Sequence, residues 1–433
     1  MKHTAGPTRR GFLAAGLGLG AAAALAGCGT PVTALGAGPS LQFWNLFAGG
    51  DGVRLQDMLN AYRQAHPGVT LEDATLTWGA PYYTKLAMSA AGGRSPDVAV
   101  LHLSRLTAFS PGRLLDPFDT DLLAEAGLTE ADFPADLWQR GSRDGRLYAV
   151  PLDSHPLVNY YNTEICGQAG LLDTDGKLLP LESPEALIDA LERTREITGT
   201  VGLTTDMLAP YRVWWSFFRQ MDGTLELPEG GTCRIDEDTA IAALEYIRDL
   251  GERGLVNPAM DMDGAIAMFS SGQAAFHWNG EWEVSTFLNG QTPFSMDRFP
   301  GVFGNYRVRS DSHALVLPHQ RDRDPSTTRD TYEFIAFLLK QSLTWAEGGH
   351  IPAYRPVAES ADYLALDPQS NYRSAIDSAE LDPQAWFSGS GADLDSQANA
   401  AFSAVVAGRA TPQDGLRQFV DAMNRLLATP SPV

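Results

Sequence analysis

Tryptophans and charged residues stand close together at several points along this chain, and that pairing of residue types has a chemistry. Trp44 precedes Asp51 by one short turn, Asp153 and His155 lie two positions apart, and Trp278 and Trp282 flank Gly280 and Glu281. Arg355 sits in a later Gly/Pro-rich stretch. Carboxylates and guanidinium groups make the stronger, charge-assisted hydrogen bonds to hydroxyls. Flat aromatic rings cover C–H faces at low entropic cost. Together they suit a polyhydroxylated solute such as a sugar.

Each residue also has a plain structural use. Trp44 ends an apolar run and could simply pack in a core; Asp51 could cap a helix. Asp153 follows Pro151 and could tie a chain crossover together, His155 could be a surface histidine, and Glu281 could be solvated. Trp214 and Trp215 are adjacent, so on a helix they diverge by about 100° and at most one faces a cleft; Trp215 is assigned to it. Gly280 permits close backbone approach to a ligand. Arg355 suits a hydroxyl or a phosphate, which keeps a glycerophosphodiester ligand open beside the sugar.

Paired carboxylates and Trp platforms also serve glycoside hydrolysis, where retaining enzymes hold two carboxyls about 5 Å apart. Glu281 and Glu283 are two positions apart and would diverge on a strand or a helix. No H-E-x-x-H, G-x-S-x-G or Gly-rich phosphate loop occurs. The expectation is a binder without catalytic residues, cofactor or metal ligand set. Cys166 and Cys233 show neither CxxC spacing nor clustered histidines, and their pairing is left open. A purely structural surface protein would not need so many of its nine tryptophans beside charges.

The first residues read as an address. Lys2, Arg9 and Arg10 precede an apolar Ala/Gly/Leu stretch from Gly11 to Ala26, too short for the roughly 20 residues of a membrane-spanning helix. Thr8-Arg9-Arg10-Gly11-Phe12-Leu13 resembles a twin-arginine export signal, and Leu25-Ala26-Gly27-Cys28 resembles a bacterial lipobox. Residues 1–27 are then a signal peptide, Cys28 the lipidated first residue, and 28–39 a tether. The mature chain carries 29 basic and 53 acidic residues, a formal charge of −24. That argues against nucleic acid and against docking on anionic lipid, leaving the lipid as the only link to the membrane. Ala-, Arg- and Gly-rich composition hints at a high-GC bacterium.

The elements that would position these residues follow from periodicity. Leu41–Trp44, Val69–Trp78 and Pro96–Leu101 read as strands. Between them, Leu55, Met58, Leu59 and Tyr62 fall on one helical face, and Pro81 opens a second helix that Gly92-Gly93 ends. This β-α-β-α-β order predicts an α/β fold with a parallel, doubly wound sheet. Residues 183–308 read mostly helical, with Pro184, Asp238 and Asp261 near the starts. His313–Pro318 returns to a strand, Tyr332, Ile335, Ala336 and Leu339 share a helical face, and Leu416, Phe419, Val420, Met423 and Leu427 share another. A strand pattern that resumes after a helical excursion predicts two discontinuous lobes, 40–152 plus 311–350 and 153–310 plus 351–433. They would be joined by crossings near 152–155, 309–312 and 350, around a hinge and a central cleft where ligand sites preferentially form.

Several segments resemble the family 1 extracellular solute-binding proteins of bacterial ABC importers, which include maltose-type and glycerol-3-phosphate-type receptors. They are Phe43-Trp44-Asn45 with Gly49-Gly50-Asp51-Gly52, Tyr82 to Leu86 through Gly93 to Val98, and Leu147 to Asp153 with Tyr160-Tyr161-Asn162. Phe269 to Phe276 leading to Asn279-Gly280-Glu281-Trp282, and Gly348 to Val357, complete the set. The resemblance implies a maltose-binding-protein-like (type II) two-lobed fold that closes over a small solute, with permease subunits as its partners and a monomeric state. It places the protein at the extracytoplasmic face of the cell membrane, lipid-anchored, with ATP hydrolysed elsewhere.

Overall fold

The computed structural model describes residues 40–109 and 113–431; the export signal, Cys28 and the tether lie outside the described residues. Strand β1 (Ser40–Asn45) alternates, with Leu41, Phe43 and Asn45 inward and Ser40 and Gln42 outward. Helix α1 (Gly49–Ala65) buries Leu55, Met58, Leu59 and Tyr62, the face its spacing predicts. Its cap residue is Ala48, with no side-chain cap bond. Asp51 lies in the first turn, so the capping alternative does not hold for it. Strand β2 (Thr70–Thr75), helix α2 (Ala80–Ala91, Pro81 in its first turn) and the fully buried β3 (Val98–His102) follow. β2, β1 and β3 pair in parallel, as the β-α-β-α-β pattern requires.

After β4 (Leu115–Asp116) and β5 (Ala149–Pro151) comes the ten-residue β6 (Asp153–Asn162), every residue of which is buried. The middle of the chain supplies β7 (Leu203–Thr204), α3 (Tyr211–Gln220), α4 (Glu237–Glu252), β8 (Phe276–Gly280) and β9 (Phe294–Arg298). Helices at Pro184–Thr198 and Met262–Ser270 start where expected, capped by Ser183 and Asp261. Then follow β10 (Val308–Asp311), β11 (His313–Pro318), α5 (Pro325–Lys340), α6 (Ser342–Ala346), β12 (Ile351–Pro352), β13 (Ala379–Glu380), α7 (Asp393–Val406) and α8 (Pro412–Leu427).

Two sheets result. The first has the order β2-β1-β3-β11-β4, with β5 also on β11; β11 runs antiparallel to β3, so this sheet is mixed rather than purely parallel. The second has the order β13-β10-β6-β8-β7, with β9 and β12 also on β6. Sequence periodicity did not announce this second sheet. β6 is covered on both faces, and such a strand shows no polar–apolar alternation.

Each sheet organises its own hydrophobic core. One includes Phe43, Leu59, Tyr62, Val100, Leu315, Phe334 and Trp345. The other includes Tyr160, Trp214, Phe217, Ile247, Phe276, Phe402 and Phe419. These are the two lobes of the α/β fold. The chain passes between the sheets at Leu152 (β5 to β6), at Ser312 (β10 to β11) and between Ala346 and Ile351 (α6 to β12).

Trp214 sits at the centre of the second core. It is fully buried, stacked on Phe218 at 4.8 Å, close to Phe402, and its indole Nε1 donates to the Ala240 carbonyl at 3.1 Å. Replacing it with alanine removes that bond and leaves a large cavity. Trp214→Ala is expected to lower the unfolding free energy by about 3–5 kcal/mol, as measured by urea denaturation.

Candidate functional site

The three crossings converge on one carboxylate. Asp153, the first residue of β6, is fully buried. Its Oδ1 accepts from the His313 backbone N–H at 2.8 Å and faces His155 Nδ1 at 3.1 Å. Its Oδ2 accepts from Trp345 Nε1 at 2.7 Å and faces His313 Nδ1 at 2.8 Å. His350 Nδ1 lies 3.4 Å from the same oxygen. The donors come from the first crossing (His155), the second (His313) and the third (Trp345, His350). Burial alone would push the Asp153 carboxyl up, but the charge on His313 and the bonds from His155 and His313 outweigh it and hold the group well below the usual carboxylate range.

Next to this tie is a second buried group. His350 Nε2 pairs with Asp51 Oδ1 at 3.0 Å, while its Nδ1 lies 3.1 Å from Glu281 Oε1. No other side chain is hydrogen-bonded to either Glu281 oxygen. Burial raises Glu281 to about 7, against the partial pull of His350. For His350 burial acts the other way, but the charge of and bond to Asp51, with Glu281 and Asp153 behind them, keep the imidazole protonated well above its usual range. His155, by contrast, is lowered to about 3 by burial and the charge of His313, and is neutral.

The polar seam continues between the lobes. Ser104, in the short helical segment just after β3, donates its hydroxyl and its N–H to Asp311 and receives the Ser390 N–H on its Oγ at 3.1 Å. Gly389 (φ +103°) lies against Ser104 so closely that a Cβ would collide with its backbone. Arg309 pairs with Asp382 at 3.1 Å, and Tyr211 donates to the same carboxylate at 3.0 Å. Trp282 is half-buried, its ring 6.1 Å from His155 and 5.7 Å from the Arg212 guanidinium. Arg212 also lines a cavity of about 120 Å³ with Thr205, Asp206, Asn279, Asp395 and Asn399. A groove of about 780 Å³ has Arg113, Arg140 and Arg143 on one wall and Leu227, Trp386 and Phe387 on another.

Of the residues singled out by sequence, Asp51, Asp153, His155, Glu281 and Trp282 converge here. The remainder do not. Trp44 is half-buried on an outer groove under Lys85, with Pro81, Thr84 and Met88. Trp215 is buried with Trp214 and Phe218, its Nε1 on the Glu380 carbonyl at 3.3 Å. Trp278 packs on Phe217 and Phe299 and meets the site only as a wall of the small cavity. Gly280 leaves room not for a ligand but for the Trp282 ring, which occupies the space a Cβ would need. Arg355 is exposed on a short helix. Asp153 has both oxygens filled by protein donors, so it has the tying role rather than a free acceptor's. Glu281 is fully buried, not solvated.

Sequence reasoning missed His102, His313, His350, Ser104, Arg212, Arg309 and Asp382. The four histidines His102, His155, His313 and His350 form one buried cluster, with ring centroids of successive neighbours 4.2–6.1 Å apart. Their positions share no spacing that would mark them as neighbours. The signal that could have found them is placement: His313 and His350 sit at two of the expected lobe crossings. Cys166 and Cys233 are free thiols.

The raised Glu281 fixes a sign for pH dependence. Between about 4.5 and 7 the native state holds a proton here that the unfolded chain has lost, so this group's contribution to stability falls as pH rises through that window. Glu281→Gln removes the dependence. Relative to wild type, the variant is expected to gain on the order of 3 kcal/mol between pH 4.5 and 8, read from urea denaturation at the two pH values.

Comparison with known proteins agrees with this architecture. Residues 49–340 match the family described as bacterial extracellular solute-binding protein. The chain is similar to the xylose/arabinose-binding protein XacG of Haloferax volcanii, 23% identical over 365 residues, covering 78% of this chain and 74% of that one. In fold it is similar to the GacH receptor of Streptomyces glaucescens, solved unliganded and with acarbose, at a TM-score of 0.74 and 20% identity, covering 90% and 98% of the two chains. A cyclic α-maltosyl-1,6-maltose binding protein of Arthrobacter globiformis gives a TM-score of 0.71 at 20% identity, covering 90% and 100%. With two lobes joined by three crossings and a family match over most of its length, this chain belongs to the bacterial extracellular solute-binding proteins, a family of binders and not of enzymes.

Proposed function

We propose that this protein is the receptor of an ABC importer, held at the extracytoplasmic face of the cell membrane by a lipid on Cys28, and that it binds a mono- or oligosaccharide between its lobes. The observation that carries the reading is Trp282, a half-buried ring 6.1 Å from His155 and 5.7 Å from Arg212, whose guanidinium side chain also lines the cavity with Asp206, Asp395 and Asn399. An aromatic face near a guanidinium that itself shares a cavity with two carboxylates supplies both things a sugar needs, a platform for C–H groups and charge-assisted partners for hydroxyls. The pentose and acarbose receptors that it resembles support the same ligand class.

The mechanism is binding coupled to closure. Ser104 on one lobe and the 389–390 backbone on the other already meet at the seam. A solute touching both lobes favours the closed form by its differential contact energy. The permease subunits then read the closed surface of a monomeric receptor. No cofactor is needed, since ATP is hydrolysed by partner subunits.

A glycerophosphodiester is the second reading. Arg355, exposed on its short helix, no longer carries it; the wall of Arg113, Arg140 and Arg143 in the large groove does. Calorimetry of the soluble protein with pentoses, disaccharides, malto-oligosaccharides and glycerophosphodiesters separates the two. A single saturable sugar is expected, weakened in Trp282→Ala by about 2 kcal/mol, more than tenfold in Kd. Saturation by a phosphodiester alone, lost in Arg143→Ala and kept in Trp282→Ala, would overturn the sugar.

A further inference from the structure

The donors and acceptors around the crossings do not balance. Asp153 offers about four lone-pair sites, yet five groups face it: the Nδ1 atoms of His155, His313 and His350, Trp345 Nε1 and the His313 N–H. Beside it Glu281 is fully buried, and His350 Nδ1 stands between the two carboxylates, 3.1 Å from Glu281 Oε1 and 3.4 Å from Asp153 Oδ2. Three imidazole nitrogens thus crowd one buried carboxylate, more donors than it can take, with a second buried carboxylate at their edge.

We propose that His155, His313, His350 and Asp153 form a binding site for one divalent transition-metal ion of the zinc class, with Glu281 as the adjacent carboxylate, at the junction of the two lobes. One ligand atom from each of the four residues lies within 4.8 Å of the others, and all four residues are buried. From Asp153 Oδ2 the Nδ1 atoms of His313 and His350 lie 2.8 and 3.4 Å away, and His155 Nδ1 lies 3.1 Å from Oδ1, close to the roughly 3.3 Å ligand–ligand spacing of a tetrahedral ion with bonds of about 2.0–2.1 Å. Three imidazoles and a carboxylate suit zinc, or its neighbours cobalt and nickel, rather than calcium or magnesium, which take oxygen ligands. The ion would take the place of the imidazole protons now aimed at Asp153.

The outer shell is present as well. His350 Nε2 pairs with Asp51, the carboxylate–histidine pairing that orients a metal-bound imidazole. Trp345 Nε1 holds the Asp153 oxygen, and its ring stacks on His350 at 4.3 Å and 10°. Because the ligands ride on all three crossings, separation of the lobes is the entry path, and a bound ion pins the crossings to one another.

The purified protein, stripped with a chelator and titrated with Zn2+ in competition with a chromophoric chelator, tests this. One ion per chain with sub-micromolar affinity is expected, and Co2+ should give the strong visible bands of a tetrahedral nitrogen/oxygen site. His313→Gln and His350→Gln should each weaken Zn2+ by more than a hundredfold, and Asp51→Asn by ten- to a hundredfold, with circular dichroism confirming that each variant folds. If the wild type shows no Co2+ bands and no Zn2+ tighter than micromolar, the cluster holds protons only and the proposal fails. It fails equally if both histidine variants fold and bind Zn2+ as wild type does.

Discussion

The structure turns on one buried carboxylate. A charge out of water is costly unless it is paired and hydrogen-bonded on all sides, and Asp153 meets that condition only by drawing donors from three separate chain crossings. The cost of breaking any one of these bonds therefore falls on the registration of both lobes. His155, His313, Trp345 and His350 must arrive together, because each directs a polar group at the same carboxylate. The second lobe inherits its position from the same knot, since Asp153 is also the first residue of its central strand.

Much of the fold was legible because its first lobe obeys simple periods. The α1 face, the Pro81 helix start and the β3 run are where spacing puts them, and so are the later helices on Tyr332 and Leu416. The second sheet was not, because β6 is buried on both faces and a strand of that kind carries no alternation. The site was legible only in part for a related reason. Asp153, His155, Glu281 and Trp282 were marked by residue type and local company. Their partners His313 and His350 are at least 158 and 195 positions from Asp153 and His155, and contact at that separation is a property of topology, which no local window contains.

Tryptophan misled where burial competes with recognition. Trp44, Trp215 and Trp278 stand near charged residues in sequence, but the second lobe spends two of them on its core and the first leaves one on an outer groove. Trp282 differs because Gly280 has no side chain to displace it: the ring lies back on the glycine and keeps one side toward the seam. The pattern Gly-x-Trp thus positions the aromatic surface, and the glycine's part is to support the ring rather than to touch the solute.

The same economy links stability to function. The seam concentrates buried charge, with Arg309 and Asp382, Ser104 and Asp311, and His350 and Glu281 all at the lobe junction, whereas the lobe interiors are apolar. Closure of the proposed kind would then act at the seam, with each lobe turning about the Asp153 tie. Small-angle X-ray scattering on the protein, free and saturated with the sugar that it binds, tests this most directly. The account predicts a smaller radius of gyration with sugar bound, as the lobes close about the crossings. Identical scattering curves at a saturation confirmed by calorimetry would contradict it.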